Sequence, residues 1–289
     1  MNILITGKDG YVASNLFEFL ISHQHKCRVI DMLDSSWDKV SFKDYDVVIH
    51  TSALVHKKEK RHSLEEYMNS NAVLTQRLCI KAKEEKVKSF IFLSTEAVYG
   101  LEPSLKKEII IDDKTELKPV TKYGKSKLEA ENQIAKLNDY TFKVSILRCP
   151  IIYGNKCRGN YNGLRKLALK LRRFPNLENK KSFLFIGNLC HCILHIIDSG
   201  FSGYISPQDK EYHSTKQIAL LIKEANGLKP LTSNFLAFLV KIFYFLSPIK
   251  KAFGNTMIDK KLSSFKDGFD YQIFDINKAI EITEKRGSL

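Results

Sequence analysis

The chain of 289 residues has no apolar run long enough to cross a bilayer. Its longest, Phe235 to Leu246, is interrupted by Lys241 and followed by Pro248, well short of the roughly 20 residues a span needs. That excludes a polytopic membrane protein. No basic leader precedes the first apolar run, because Met1 leads straight into Asn2-Ile-Leu-Ile-Thr6, so no signal peptide is expected. No CxxC pair occurs among the cysteines at 27, 79, 149, 157, 190 and 192. Most lie in apolar runs, and buried free thiols in a reducing cytoplasm are the expectation. Arginine is scarce, with nine among 46 basic residues. Scattered lysines without arginine clusters read as solvated surface, so nucleic acid is not expected as a partner. There is no internal repeat and no low-complexity tract, and 44% apolar with 27% charged residues excludes disordered, collagen-like and coiled-coil chains.

What is present is an ordinary globular composition with a formal charge of +14, a surface able to attract an anionic lipid or a phosphorylated ligand. Buried-strand patterns at Asn2–Thr6, Lys26–Asp31, Asp46–Thr51, Ser89–Ser94 and Lys143–Arg148 alternate with helical patterns at Gly10–Ser22, Leu64–Glu85 and Tyr123–Leu137. This order predicts an α/β fold, a Rossmann-type doubly wound parallel sheet. Only about 15 residues separate Asp31 from Asp46, too few for a full crossover, so one element there is shortened. Residues 153–180 read as a basic, loop-rich stretch, Ser182–Ile186 as a strand and Asn188–Ser199 as a helix. The expected division is a nucleotide-binding domain over 1–154 and a smaller C-terminal substrate-binding lobe over 155–289, with 182–200 returning to the Rossmann sheet.

The first strand ends in Thr6-Gly7-Lys-Asp-Gly10-Tyr-Val-Ala13 and opens a helix. Gly7 allows the tight turn, and Gly10 lets the backbone approach a pyrophosphate at the helix N-terminus. Asp31 closes the second strand about 24 residues past Gly7. A carboxylate there accepts hydrogen bonds from an adenosine ribose and repels a 2′-phosphate, which favours NAD over NADP, although NADP stays open.

A second constellation is Tyr123-Gly-Lys-Ser-Lys127 at a helix start. Positions four apart share a helix face, so phenol and ammonium can meet one ligand. A nearby ammonium and a nicotinium charge favour the phenolate, drawing Tyr123 towards working pH, and Lys127 can hold a ribose. The buried strand Phe92-Leu-Ser94-Thr95-Glu96-Ala97-Val98-Tyr99-Gly100 places a hydroxyl at the carboxyl edge of the sheet, where it can polarise a carbonyl.

With these pieces in order, the chain resembles the extended short-chain dehydrogenase/reductase family of NAD-dependent nucleotide-sugar epimerases, dehydratases and reductases. The matching stretches are TGKDGYVAS at 6–14, VVIHTSA at 47–53, Asn71, FLSTEAVYG at 92–100, YGKSK at 123–127 and LRCPIIYGN at 147–155. The resemblance implies Thr95, Tyr123 and Lys127 as catalytic residues. It implies Gly7, Gly10, Tyr11, Val12, Asp31, Ser52, Ala53, Asn71, Tyr123, Lys127 and Pro150 at the cofactor. For a UDP-sugar it implies Glu96, Arg158, Asn160 and Lys181; a solvated basic loop is the competing reading for Arg158.

Within the family, 41–56, 157–167 and 180–189 are most like capsule and O-antigen reductases acting on UDP-4-keto-6-deoxy-N-acetylhexosamines, a step in bacterial surface polysaccharide synthesis. Family dehydratases carry Thr-Asp-Glu where this chain has Thr95-Glu96-Ala97, which removes a C5 base. Four-epimerases often carry Asn where Ile151 stands. Reduction of a C4 ketone is the leading expectation. A 4-epimerase with tightly held NAD and a non-catalytic nucleotide sensor are the alternatives. Such sensors typically lose the Tyr or Lys that this chain keeps.

Cys190-His191-Cys192 with His195 invites a metal reading, but a core helix explains these residues better and no metal is expected. His50 and His56 read as structural. The stretch 235–246 can be read as a membrane-surface helix; the related reductases carry an apolar helix there inside the substrate lobe, and membrane contact is the lesser expectation. A homodimer is left open.

Overall fold

The computed structural model describes residues 1–55, 61–157 and 159–285. The chain forms two compact units. The first comprises Met1–Gly100, Glu116–Cys149 and Cys190–Pro207; the second comprises Leu101–Thr115, Pro150–Leu189 and Gln208–Leu289. The single boundary drawn at 154/155 is thus replaced by interleaved segments, with 101–115 contributed to the second unit.

In the first unit a six-stranded sheet runs in the order Gly203–Ile205, Lys143–Cys149, Ser89–Thr95, Val47–His50, Asn2–Thr6, Lys26–Ile30. Every pairing is parallel. Ile3, Leu4 and Ile5 are all fully buried. Successive strand side chains point to opposite faces, so both faces must be covered, as a parallel sheet with crossovers on each side requires. Tyr11–Ser22 supplies Ala13, Leu16, Phe19 and Leu20 to the interior. The short connection between Ile30 and Val47 holds a 3₁₀ helix, Ser35–Lys39, in place of a full crossover.

Further expectations change. The helix anticipated over Leu64–Glu85 is broken into α-helix at Leu64–Tyr67, a π-helical turn at Met68–Val73 and α-helix at Leu74–Glu84. The wider turn carries Asn71, whose side chain reaches the backbone of Leu54. The stretch 182–200 returns to the first unit only in part: Cys190–Pro207 belongs to it, whereas 182–189 stays with the second unit. Phe183–Phe185 pairs with Ile151–Tyr153 in the second unit, and the last sheet strand is Gly203–Ile205 against Ser145–Leu147. Pro150 follows Cys149 with no N–H to donate, which ends the long strand and separates Ile151–Tyr153 from it.

The second unit contains three short parallel pairs: Ile110–Ile111 with Met257–Ile258, Ile151–Tyr153 with Phe183–Phe185, and Phe174–Pro175 with Thr232–Ser233. Helices Asn160–Lys170, Thr215–Ala225 and Ile276–Lys285 pack together. Asn160–Lys170 lies where the sequence reads as loop, because its buried Tyr161 and Ala168 are outnumbered by outward polar residues. Arg165 meets the buried Glu284 carboxylate at 2.7 Å, and the Tyr153 and Tyr161 rings stack at 5.4 Å.

Candidate active site

The glycine turn is built as its sequence suggests. Gly7 has φ +104°, and a Cβ there would stand 2.9 Å from Thr51 Oγ1 and 3.3 Å from Ser52 N. Its N–H donates to Ile30 O at 3.0 Å. Gly10 is the N-cap of Tyr11–Ser22 and makes no side-chain cap bond; a Cβ on it would lie 2.7 Å from Gly7 O. A bare helix N-terminus behind a glycine turn suits a pyrophosphate. Tyr11 and Val12 form its first turn, and Asp31 follows directly on the strand that pairs with Asn2–Thr6. One carboxylate oxygen of Asp31 accepts from Leu33 N at 2.9 Å.

Ser52 and Ala53 lie in the segment after Val47–His50. The next residue, Leu54, is clasped by Asn71: its N–H donates to Oδ1 at 2.8 Å, and its carbonyl accepts from Nδ2 at 3.0 Å. Asn71 Nδ2 also donates to Ser126 Oγ at 2.9 Å, and Ser126 donates to Tyr123 O at 2.9 Å. Asn71 therefore ties the 52–54 segment to the helix that carries Tyr123.

That helix spans Lys122–Ala135 and is capped by Thr121, whose side chain accepts from Gly124 N. A Cβ on Gly124 would lie 2.6 Å from Ala97 O, so glycine lets the helix start press against the turn after Ser89–Thr95. The Lys127 ammonium sits 4.0 Å from the Phe92 ring centroid, and Phe92 belongs to the strand that ends in Thr95. The Thr95 hydroxyl accepts from Ala97 N at 3.2 Å, and Glu96 opens the 3₁₀ turn Glu96–Tyr99. Strand, turn and helix thus bring Thr95, Tyr123 and Lys127 to one end of the first unit.

Electrostatics here are governed by burial. Lys127 is 2% exposed. Burial pushes its ammonium down to about 7, with Glu131 and Cys149 pulling it back up. Tyr123 moves opposite to the simple expectation of a lowered phenol. Burial first, then Cys149 and Tyr67, hold it well above the usual range.

Three residues the sequence reading did not single out complete the frame. Glu131, Arg148 and Ser94 are linked, with Arg148 Nη2 donating to Glu131 Oε2 at 2.7 Å and Ser94 donating to Oε1. The sequence signal that could have found Glu131 is spacing, since it continues the 123–127 stripe by one more step of four. His50 is the structural histidine expected. Thr75 donates its hydroxyl proton to Asn71 O. It must therefore accept from His50 Nε2, 2.9 Å away, leaving Nδ1 to accept from Thr6 at 2.6 Å.

In the second unit, Pro150 is buried, Asn160 is exposed at a helix start, and Ile151 is half-buried. Lys181 is buried, and its ammonium donates to Lys251 O; a diphosphate would compete with that bond. Arg158 and His56 lie outside the described residues. Cys190 and Cys192 are buried thiols, and His191 packs edge-on against Phe19. Among the described residues no cluster of His, Cys, Asp or Glu is arranged to hold a metal ion. No helix among them is long and apolar enough to cross a membrane.

The profile of the NAD dependent epimerase/dehydratase family matches residues 3–205. The chain is 30% identical over 220 residues to a UDP-glucose 4-epimerase of Vibrio cholerae, covering 68% of this chain and 66% of that protein. It is 27% identical over 222 residues to the N-acetyl-α-D-glucosaminyl-diphospho-ditrans,octacis-undecaprenol 4-epimerase of Escherichia coli O157:H7, covering 70% of this chain and 65% of that protein. The matched stretches thus span just under two thirds of those relatives. In fold it resembles a UDP-glucuronic acid 4-epimerase of Bacillus cereus solved with NAD, with a TM-score of 0.74, 20% identity and coverage of 99% and 98% of the two chains.

Proposed function

The chain belongs to the NAD-dependent epimerase/dehydratase family, an enzyme family whose cofactor is NAD, and from that premise we propose that it reduces the C4 ketone of a UDP-4-keto-6-deoxy-N-acetylhexosamine. The Gly7–Gly10 turn and the uncapped helix behind it would hold the pyrophosphate, Asp31 the adenosine ribose and Lys127 the nicotinamide ribose. When bound, the reduced nicotinamide supplies the hydride. The chain's own residues supply the rest: Thr95 donates a hydrogen bond to the ketone oxygen, and Tyr123 delivers its proton to the same oxygen as charge develops.

The observation that carries this reading is Ala97, on the turn that follows Thr95: it places a methyl where a second acid would serve C5 chemistry. Ile151 adds to this, an apolar side chain where four-epimerases often carry Asn.

A second reading, a UDP-sugar 4-epimerase, is favoured by the likeness to the Vibrio cholerae enzyme. One experiment separates the two. Purified protein is incubated with UDP-4-keto-6-deoxy-GlcNAc and NADH or NADPH, following absorbance and product structure. Oxidation of one cofactor per sugar, giving UDP-QuiNAc or UDP-FucNAc, supports reduction. Conversion of UDP-GlcNAc to UDP-GalNAc without added cofactor moves the assignment to epimerisation.

A further inference from the structure

The helix Asn234–Ile242 of the second unit presents apolar side chains on two sides. Ala237 and Val240 face inward. On the other side Phe235 is 67% exposed and Phe238 57%, with Ile242, Phe243, Phe245 and Leu246 also exposed. Phe235, Phe238 and Ile242 follow a helical stripe of three and four, and the 3₁₀ turn Phe243–Phe245 extends it. An isolated exposed apolar side chain needs no explanation, but a contiguous face rich in phenylalanine does.

The face is also held in place. Tyr244 donates to Pro103 O at 2.9 Å. Lys250 pairs with Glu102 at 3.1 Å, and Asn255 Nδ2 donates to Ser104 O at 2.8 Å. The aromatic rings are therefore carried on an anchored segment.

The stretch itself carries charge of one sign only. From Ala225 to Ile258 the chain has Lys229, Lys241, Lys250 and Lys251 and no Asp or Glu. Lys241 sits between Phe238 and Ile242 and is exposed, as is Lys251. The segment that Asn255 ties down is mixed in charge, with Lys106 and Lys107 exposed beside Glu102, which pairs with Lys250, and Glu108, which pairs with Lys180.

We propose that this face docks on an anionic lipid bilayer, with Phe235, Phe238, Ile242 and Phe245 entering the headgroup–acyl boundary and Lys241 and Lys251 meeting lipid phosphates. Apolar insertion flanked by cations is the chemistry of an interfacial helix. Each lysine near an anionic surface adds a favourable electrostatic contribution that salt weakens. A second copy of the chain suits the face less well. A two-fold contact would bring the same lysines of both copies together around a desolvated centre, with no acid from this stretch to neutralise them.

The test is flotation of the full-length protein with vesicles of an equal mixture of phosphatidylglycerol and phosphatidylcholine, against pure phosphatidylcholine, at low and high salt. The protein is expected to float with the anionic vesicles, at least tenfold less with the neutral ones, and less at high salt. Phe235→Ser/Phe238→Ser/Phe245→Ser and, separately, Lys241→Glu/Lys251→Glu should each lower the bound fraction about tenfold while the melting temperature holds. Phe238→Trp gives a readout that does not depend on loss of binding: its fluorescence should shift to the blue and be quenched by brominated lipid. Absence of flotation with anionic vesicles overturns the proposal, as does flotation indifferent to lipid charge and to both sets of variants. A concentration-dependent dimer in sedimentation, abolished by the serine variant while vesicles are ignored, overturns it in favour of a second copy.

Discussion

Arg148 grips Glu131 with two guanidinium nitrogens, Nη2 at 2.7 Å and Nε at 3.1 Å from Oε2. Its other terminal nitrogen donates to Tyr99 OH at 3.1 Å. The Glu131 side chain is fully buried and that of Arg148 is 13% exposed. The pair joins the helix of Tyr123 and Lys127 to the strand Lys143–Cys149, and Ser94 ties the same carboxylate to the neighbouring strand. Removing one partner of such a pair leaves the other charge buried and uncompensated. Glu131→Ala is expected to lower stability by about 3–5 kcal/mol, read as a shift in denaturant midpoint. Glu131→Met with Arg148→Met should recover much of it. A single variant as stable as the parent would show that the pair contributes nothing net.

Tyr123→Phe should leave cofactor affinity within about twofold and lower turnover by roughly a hundredfold or more, the usual scale for a positioned proton donor. The ring keeps its packing and only the hydroxyl is lost. Cofactor titration beside steady-state kinetics checks this. Unchanged turnover removes Tyr123 from proton transfer.

Asp31 should make the enzyme prefer NAD(H). A carboxylate facing a 2′-phosphate costs about 1–3 kcal/mol, roughly tenfold to a hundredfold in affinity. Asp31→Ala should narrow that ratio by improving NADP(H) binding. Equal affinity in the parent would mean that Asp31 turns away from the ribose or that Lys8, near the neighbouring Asp34, offsets it.

His50 should make the fold acid-sensitive. Burial pushes its imidazole down to about 3, and the charge of Lys127 adds to this. Between that value and its ordinary 6.5, the unfolded chain binds a proton that the folded chain does not. The contribution of His50 to stability is therefore full above 6.5 and falls by about 1.4 kcal/mol for each pH unit below it. Denaturant unfolding of the parent and His50→Gln from neutral pH to pH 4 should show the parent losing ground to the variant at about that slope. Parallel curves would show that His50 titrates normally.

Much of the first unit was legible along the chain. The strand Asn2–Thr6 was read to its ends, and the other anticipated sheet strands differ by a residue or two, because consecutive apolar residues with turn signals at both ends suit a strand covered on both faces. Gly7 and Gly10 were legible for a related reason: turn and helix start are adjacent in sequence, so their geometry is local, whereas Asp31, at the end of the second strand, comes alongside through the pairing of Asn2–Thr6 with Lys26–Ile30. Tyr123 and Lys127 were legible as a pair because one helix sets their spacing.

Family membership was likewise written in ordered local motifs, as were the absence of a long apolar span and the excess of lysine. Only the tertiary structure decided what depends on residues far apart meeting. It placed Glu131 between Ser94 and Arg148 and closed Asn71 onto Leu54 and Ser126. It gave 101–115 to the second unit and paired Phe183–Phe185 with Ile151–Tyr153 instead of the central sheet. It also set the proton affinities, raising Tyr123 and lowering Lys127, because burial is fixed by everything packed around a group. And it left Phe235, Phe238 and Phe245 outside, where a run of apolar letters reads as core. Local geometry is carried by neighbouring residues, whereas burial, pairing and exposure are properties of the whole packed chain.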